Sequence, residues 1–90
     1  MADYQMNGTV YIRRFMRTNG INENEIERVA AACGVPRIHF GSRNGGQTPE
    51  SFKRKISEAQ AQALAVVLGT TVATLKNPGA GLEPILTQLP

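Results

Sequence analysis

Cysteine, histidine and tryptophan are scarce or absent in this chain of 90 residues. The single cysteine, Cys33, excludes an internal disulfide, and with His39 as the lone histidine it excludes cysteine-based and histidine-rich metal sites. No apolar run approaches the roughly 20 residues of a membrane span. The N-terminus has neither a basic start nor an apolar stretch, so we expect no signal peptide, no membrane contact and a cytoplasmic protein.

Residue patterns of common active sites are also missing. Gly45-Gly46 is not followed by the Lys-Ser/Thr pair of a phosphate-binding loop. Cys33 and His39 could in principle form a nucleophile and base, but Cys33 falls on an apolar helical stripe, where a thiol behaves as a small hydrophobe. We therefore expect a protein that is not an enzyme, with no cofactor, no metal and no small-molecule substrate.

Positive charge is present, and it is unevenly distributed. The net charge is +3 and the pI about 9.5. Arg13, Arg14 and Arg17 form one basic block, residues 36–55 form a second with Glu50 as its only acid, and an acidic block lies between them. Two interpretations stay open: an ordinary solvated surface, or a surface that faces a polyanion such as nucleic acid.

Periodicity and capping residues predict four helices. The first runs from Thr9 to about Thr18 and buries its apolar face, and the second begins at Asn22 and ends at Gly34. Ser57 opens the third with a capping box, and Gly69 closes it. Thr71 caps a last short helix through Leu75.

Residues 35–56 allow two interpretations. In the first, Pro36 opens a short helix that reaches about Arg43. In the second, residues 37–40 alternate polar with apolar side chains and pair with residues 51–56 in a hairpin. Gly41 disfavours the helix by about 1 kcal/mol relative to alanine. The helix is the preferred interpretation, and the hairpin is the alternative.

The order of helix, glycine turn, basic segment and closing helices carries a resemblance. Residues 29–35, with Ala30 and Gly34 at fixed spacing, resemble the signature of the lambda-repressor/Cro-like helix-turn-helix family, over roughly residues 11–76. The resemblance implies a mainly α, compact four- to five-helix helix-turn-helix domain, with a short β-hairpin or a basic loop at 37–56 as a variation. It places Pro36, Arg37, His39 and Ser42 along a recognition helix.

The expected organisation is a flexible N-terminus over 1–8, a DNA-binding domain over 9–76, and a Gly/Pro joint with an apolar tail over 77–90. Spacing of i, i+3, i+4, i+7 indicates one apolar face in the tail. That face must be buried either on its own domain or on a partner. If it is buried on a partner, it forms a dimer contact through Leu82, Ile85, Leu86 and Leu89.

The charge pattern predicts a DNA-binding protein, and the resemblance implies a sequence-specific regulator of bacterial or phage type. It would be a small repressor that binds double-stranded DNA as a homodimer. The expected DNA-binding residues are Arg37, His39, Ser42, Arg43, Asn44, Lys53, Arg54 and Lys55. The alternative is a small helical protein–protein interaction module, such as a phage-type inhibitor or accessory factor, without DNA binding.

Overall fold

The computed structural model describes residues 3–7, 9–34 and 53–90, which contain four α-helices and one three-stranded sheet. The helices are α1 (Thr9–Thr18), α2 (Ile26–Ala32), α3 (Glu58–Val67) and α4 (Val72–Lys76), with a 3-10 turn (Glu23–Glu25) before α2. The strands are β1 (Asp3–Met6), β2 (Arg54–Ser57) and β3 (Leu86–Gln88), and they form an antiparallel sheet in the order β2-β1-β3.

The described residues form an α+β domain, so the prediction of a mainly α helix-turn-helix bundle is wrong. The sheet joins the two ends of the chain. The Leu89 amide donates to the Asp3 carbonyl and the Asn7 amide to the Ile85 carbonyl, each at 2.9 Å. Such pairing depends on residues about 80 positions apart, which local periodicity does not report.

One face of the sheet packs against the helices and the other faces outward. Gln5, at the centre, has Lys55 and Thr87 as its neighbours on the outward face. The alternate positions are buried, since successive side chains of a strand point to opposite faces. The inward residues of the sheet are Tyr4, Met6, Ile56 and Leu86.

Three of the helices have the predicted boundaries, within one residue, and capping explains two of them. The Ser57 hydroxyl accepts a hydrogen bond from the Gln60 amide, and the Gln60 side chain accepts one from the Ser57 amide, which completes the predicted capping box of α3. The Thr71 hydroxyl caps α4 in the same way. On this helix Ala61 and Ala65 are buried and Ala63 is exposed.

The start of the second helix differs from the prediction. Asn22 accepts a hydrogen bond from the Asn24 amide at 2.9 Å, and a 3-10 turn follows before α2 begins at Ile26. The Glu25 carboxylate lies 2.6 Å from the Arg28 guanidinium. The predicted apolar stripe of this helix is confirmed, with Cys33 fully buried at its end.

The C-terminal tail packs on its own domain. Ile85 and Leu86 are 0% and 1% exposed within the core. Leu82 and Leu89 are half-buried, and Leu82 packs against the same core. Of the two options for the tail, burial within the chain therefore holds for Ile85 and Leu86, which are not surface residues that a second copy could contact.

Candidate nucleic-acid interface

Three consecutive cations stand at the start of β2. Lys53, Arg54 and Lys55, hereafter the cationic triplet, are all exposed. In the sheet of the described residues β2 is an edge strand, and because strand side chains alternate, Lys55 points to one face of the sheet and Arg54 to the other, while Lys53 directly precedes the strand. The triplet therefore presents positive charge on both sides of a sheet edge.

One member of the triplet has a carboxylate partner among the described residues. The Lys55 ammonium lies 3.2 Å from the Asp3 carboxylate, and the two side chains remain 68% and 45% exposed. Solvent-exposed pairs of this kind contribute little free energy, so Lys55 can exchange this partner for another anion at small cost. For Lys53 and Arg54 the described part of the chain offers no carboxylate partner.

Several cations outside the triplet are occupied within the molecule. Arg14 on α1 is 2.5 Å from the Glu83 carboxylate, and Arg28 is paired with Glu25. The Lys76 ammonium lies 5.9 Å from the centre of the Tyr4 ring and donates to the Gln88 side chain at 3.3 Å. Within the part of the chain that the structure describes, the triplet is the one run of three consecutive exposed cations.

The C-terminal end of α2 lies near one member of the triplet, since the charge of Arg54 acts on the Cys33 thiol. Gly34 turns the chain with a φ of 71°, as predicted for the residue that ends this helix. The Gln60 side-chain nitrogen donates to the Cys33 carbonyl at 3.4 Å. This contact links the first turn of α3, which β2 enters directly, to the last residue before Gly34.

Cys33, at the end of α2, is a packing residue. Burial raises the pKa of its thiol from 9.0 to about 12, and the nearby positive charge of Arg54 opposes that rise. The thiol is therefore protonated at neutral pH, and the reactive thiolate is disfavoured. The prediction that Cys33 packs as a small hydrophobe is confirmed.

The sequence-predicted site residues fall into three groups. The structure places the cationic triplet on an exposed edge, while Ile85 and Leu86 of the predicted dimer contact are buried in the core. Leu82 and Leu89 are half-buried. The remaining predicted DNA-binding residues lie outside the described residues: Arg37, His39, Ser42, Arg43 and Asn44.

The sequence did not reveal the contact that Gln60 makes with the end of α2. Its position three residues after Ser57 revealed the capping box, which is a local signal. Its second partner, the Cys33 carbonyl, is 27 residues away along the chain. No sequence pattern reports a contact of that separation.

Comparison of the chain with family models, curated proteins and solved structures gives no match. None of the helices in the described residues is long and apolar enough to cross a membrane. Within the same residues, no group of three or more His, Cys, Asp or Glu side chains could hold a metal ion.

Proposed function

We propose that the chain is a small DNA-binding protein that acts as a transcriptional regulator, with the cationic triplet contacting the sugar-phosphate backbone. The observation that carries the proposal is the exposure of three consecutive cations at a sheet edge. The proposal keeps the function that the sequence suggested and leaves out the helix-turn-helix fold, which the structure contradicts.

The charge distribution supports a polyanionic partner. Residues 35–55, hereafter the basic segment, contain five cations and one carboxylate. The rest of the chain contains five cations and six carboxylates. The net positive charge of the molecule therefore comes entirely from the basic segment, and a concentrated charge of one sign attracts and orients a polyanion more than a dispersed charge does.

The chemistry of the triplet suits phosphate. Lysine and arginine release condensed counterions when they neutralise phosphates, and this gives affinity without reading sequence. Sequence preference requires side chains at base edges. For that role we retain the predicted residues of the basic segment, among which Arg37 and Arg43 have the donor geometry that guanine accepts.

A homodimer remains part of the proposal. A domain of 90 residues contacts few base pairs, and two copies on a two-fold site supply both affinity and specificity. Because Ile85 and Leu86 are buried, a contact through the tail would have to use the half-buried Leu82 and Leu89.

The test is the salt dependence of binding to a random-sequence DNA duplex, followed by fluorescence anisotropy between about 50 and 200 mM salt. Substitution of Lys53 by Ala should weaken binding to every duplex and reduce the slope of log K against log salt by about 0.9. Lys76→Ala is the control, because Lys76 is engaged with Tyr4 and Gln88 and should leave the slope unchanged.

Two outcomes would contradict the proposal. An unchanged slope in Lys53→Ala would remove the triplet from the DNA contact. Absence of salt-sensitive binding by the wild-type chain at micromolar concentration would reject DNA binding and favour the protein–protein interaction module instead.

A further inference from the structure

The side-chain amide of Gln60 has two hydrogen-bond partners that flank the basic segment. Its oxygen accepts from the Ser57 amide at 3.0 Å, and its nitrogen donates to the Cys33 carbonyl at 3.4 Å. Cys33 and Gly34 immediately precede the basic segment, and Ser57 follows it by two residues. One side chain therefore joins the residues on either side of the molecule's concentrated positive charge.

Gly34 provides the space that this bridge needs. A Cβ atom at position 34 would lie 2.5 Å from the Gln60 side-chain nitrogen, much closer than van der Waals contact allows. The same nitrogen could not then keep its place against the Cys33 carbonyl. The residue pair thus fits together as glycine and glutamine, beyond the requirement of Gly34 for a positive φ.

The bridge fixes a strand that has limited support on its outer side. Among the described residues, β2 pairs only with β1. Ile56 anchors the strand in the core, and the capping box turns it directly into α3. The Gln60–Cys33 hydrogen bond adds a direct tie from this corner to the end of α2.

We propose that Gln60 is a positioning residue for the DNA contact, holding the corner between β2 and α3, and with it the cationic triplet, against the C-terminal end of α2. This inference rests on the proposed function. The physical reason is preorganisation, because side chains held in place before binding lose less conformational entropy when they contact phosphate.

The experiment compares Gln60→Met with Gln62→Met. Methionine keeps the length and helix propensity of glutamine but neither donates to Cys33 nor caps Ser57. Gln62 is exposed on the same helix, so its substitution controls for the chemical change. With a random-sequence duplex at low salt, Gln60→Met should weaken affinity about two- to tenfold, the ordering cost of one or two side chains. Gln62→Met should bind as the wild type does, and thermal melting must show both variants folded at the assay temperature.

A double-mutant cycle separates positioning from a general loss of folded protein. If Gln60 acts through the triplet, its substitution should have little further effect in a Lys53→Gln, Arg54→Gln background. Equal fold-changes in both backgrounds, or equal binding by the Gln60 and Gln62 variants, would overturn the inference while leaving DNA binding intact. Failure of the wild-type chain to bind the duplex would overturn the proposed function and this inference with it.

Discussion

At the scale of single residues, Gly34 and Gly69 adopt nearly the same backbone conformation in different surroundings. Their φ values are 71° and 69°, but an added Cβ would meet Gln60 at position 34 and nothing within 4 Å at position 69. Gly69→Ala should therefore reduce the free energy of unfolding by the left-handed backbone cost alone, about 1–2 kcal/mol. Gly34→Ala should cost about 1 kcal/mol more, since Gln60 must give up its hydrogen bond to Cys33.

Urea denaturation of both variants measures this difference. A Gly34→Ala variant no less stable than Gly69→Ala would show that Gln60 does not press on the turn. Adding Gln60→Ala to each variant is the matched control. Without the Gln60 side chain, the unfolding free energies of the Gly34→Ala and Gly69→Ala variants should differ less.

Cys33 gives the molecule a pH dependence in the alkaline range. Its folded pKa of about 12 lies above the ordinary 9.0, so the unfolded chain releases the thiol proton first. The titration of Cys33 therefore leaves the free energy of unfolding unchanged below pH 9. As pH rises from 9 toward 12, it lowers that free energy by roughly 1.4 kcal/mol per pH unit. Cys33→Ala should lower stability at pH 7 and remove this part of the slope. Unfolding free energies at pH 8 to 10.5 test the difference, and parallel curves for the two proteins would contradict it.

At the scale of elements, the sequence predicted helices better than strands. Each helix carries its own signal, such as the Ser57–Gln60 capping box or the apolar face of α1, and local physics decides it. The strands β1 and β3 have four and three residues, and they pair with each other although they lie at opposite ends of the chain. The spacing of apolar residues in the tail is also typical of a helix, but the tail contains the strand β3. Apolar residues at such spacing occur in buried loops and strands as well.

For the candidate site, the sequence predicts which residues are exposed but not where the fold places them. Exposure of the cationic triplet follows from its composition, since three adjacent charges are almost never buried unpaired. Its place on an edge strand does not, because the strand partner β1 is about 50 residues away along the chain. The link from Gln60 to Cys33 was out of reach for the same reason.

The buried tail leads to a prediction about β3. Leu86→Ala removes a side chain that is 1% exposed in the core, so it should reduce the free energy of unfolding by about 2–5 kcal/mol. Leu89→Ala, at a half-buried position, should cost clearly less. Denaturation at two protein concentrations checks this, with size-exclusion chromatography alongside. An unaltered unfolding free energy in Leu86→Ala, with a loss of dimer instead, would restore the tail as a subunit contact.

At the scale of the whole molecule, the net charge of +3 is a difference between two unlike regions. The basic segment is strongly positive, and the remainder carries one more carboxylate than cations. Nonspecific attraction to DNA would follow total charge, whereas a defined contact follows where the charge lies. Two pairs of substitutions with the same effect on net charge can distinguish these cases.

The first pair, Lys53→Gln with Arg54→Gln, removes two exposed cations of the triplet. The second, Arg14→Gln with Arg28→Gln, removes two exposed cations that lie outside the triplet, on α1 and α2, in exposed ion pairs with Glu83 and Glu25. Both double variants have a net charge of +1, two below the +3 of the natural chain, and exposed ion pairs contribute little to stability. If the triplet contacts phosphates, the first variant should lose about 1.8 from the salt slope of duplex binding, and the second should keep the wild-type slope. Equal losses in the two variants would mean that the molecule binds DNA through its overall charge, without a defined interface at the edge of β2.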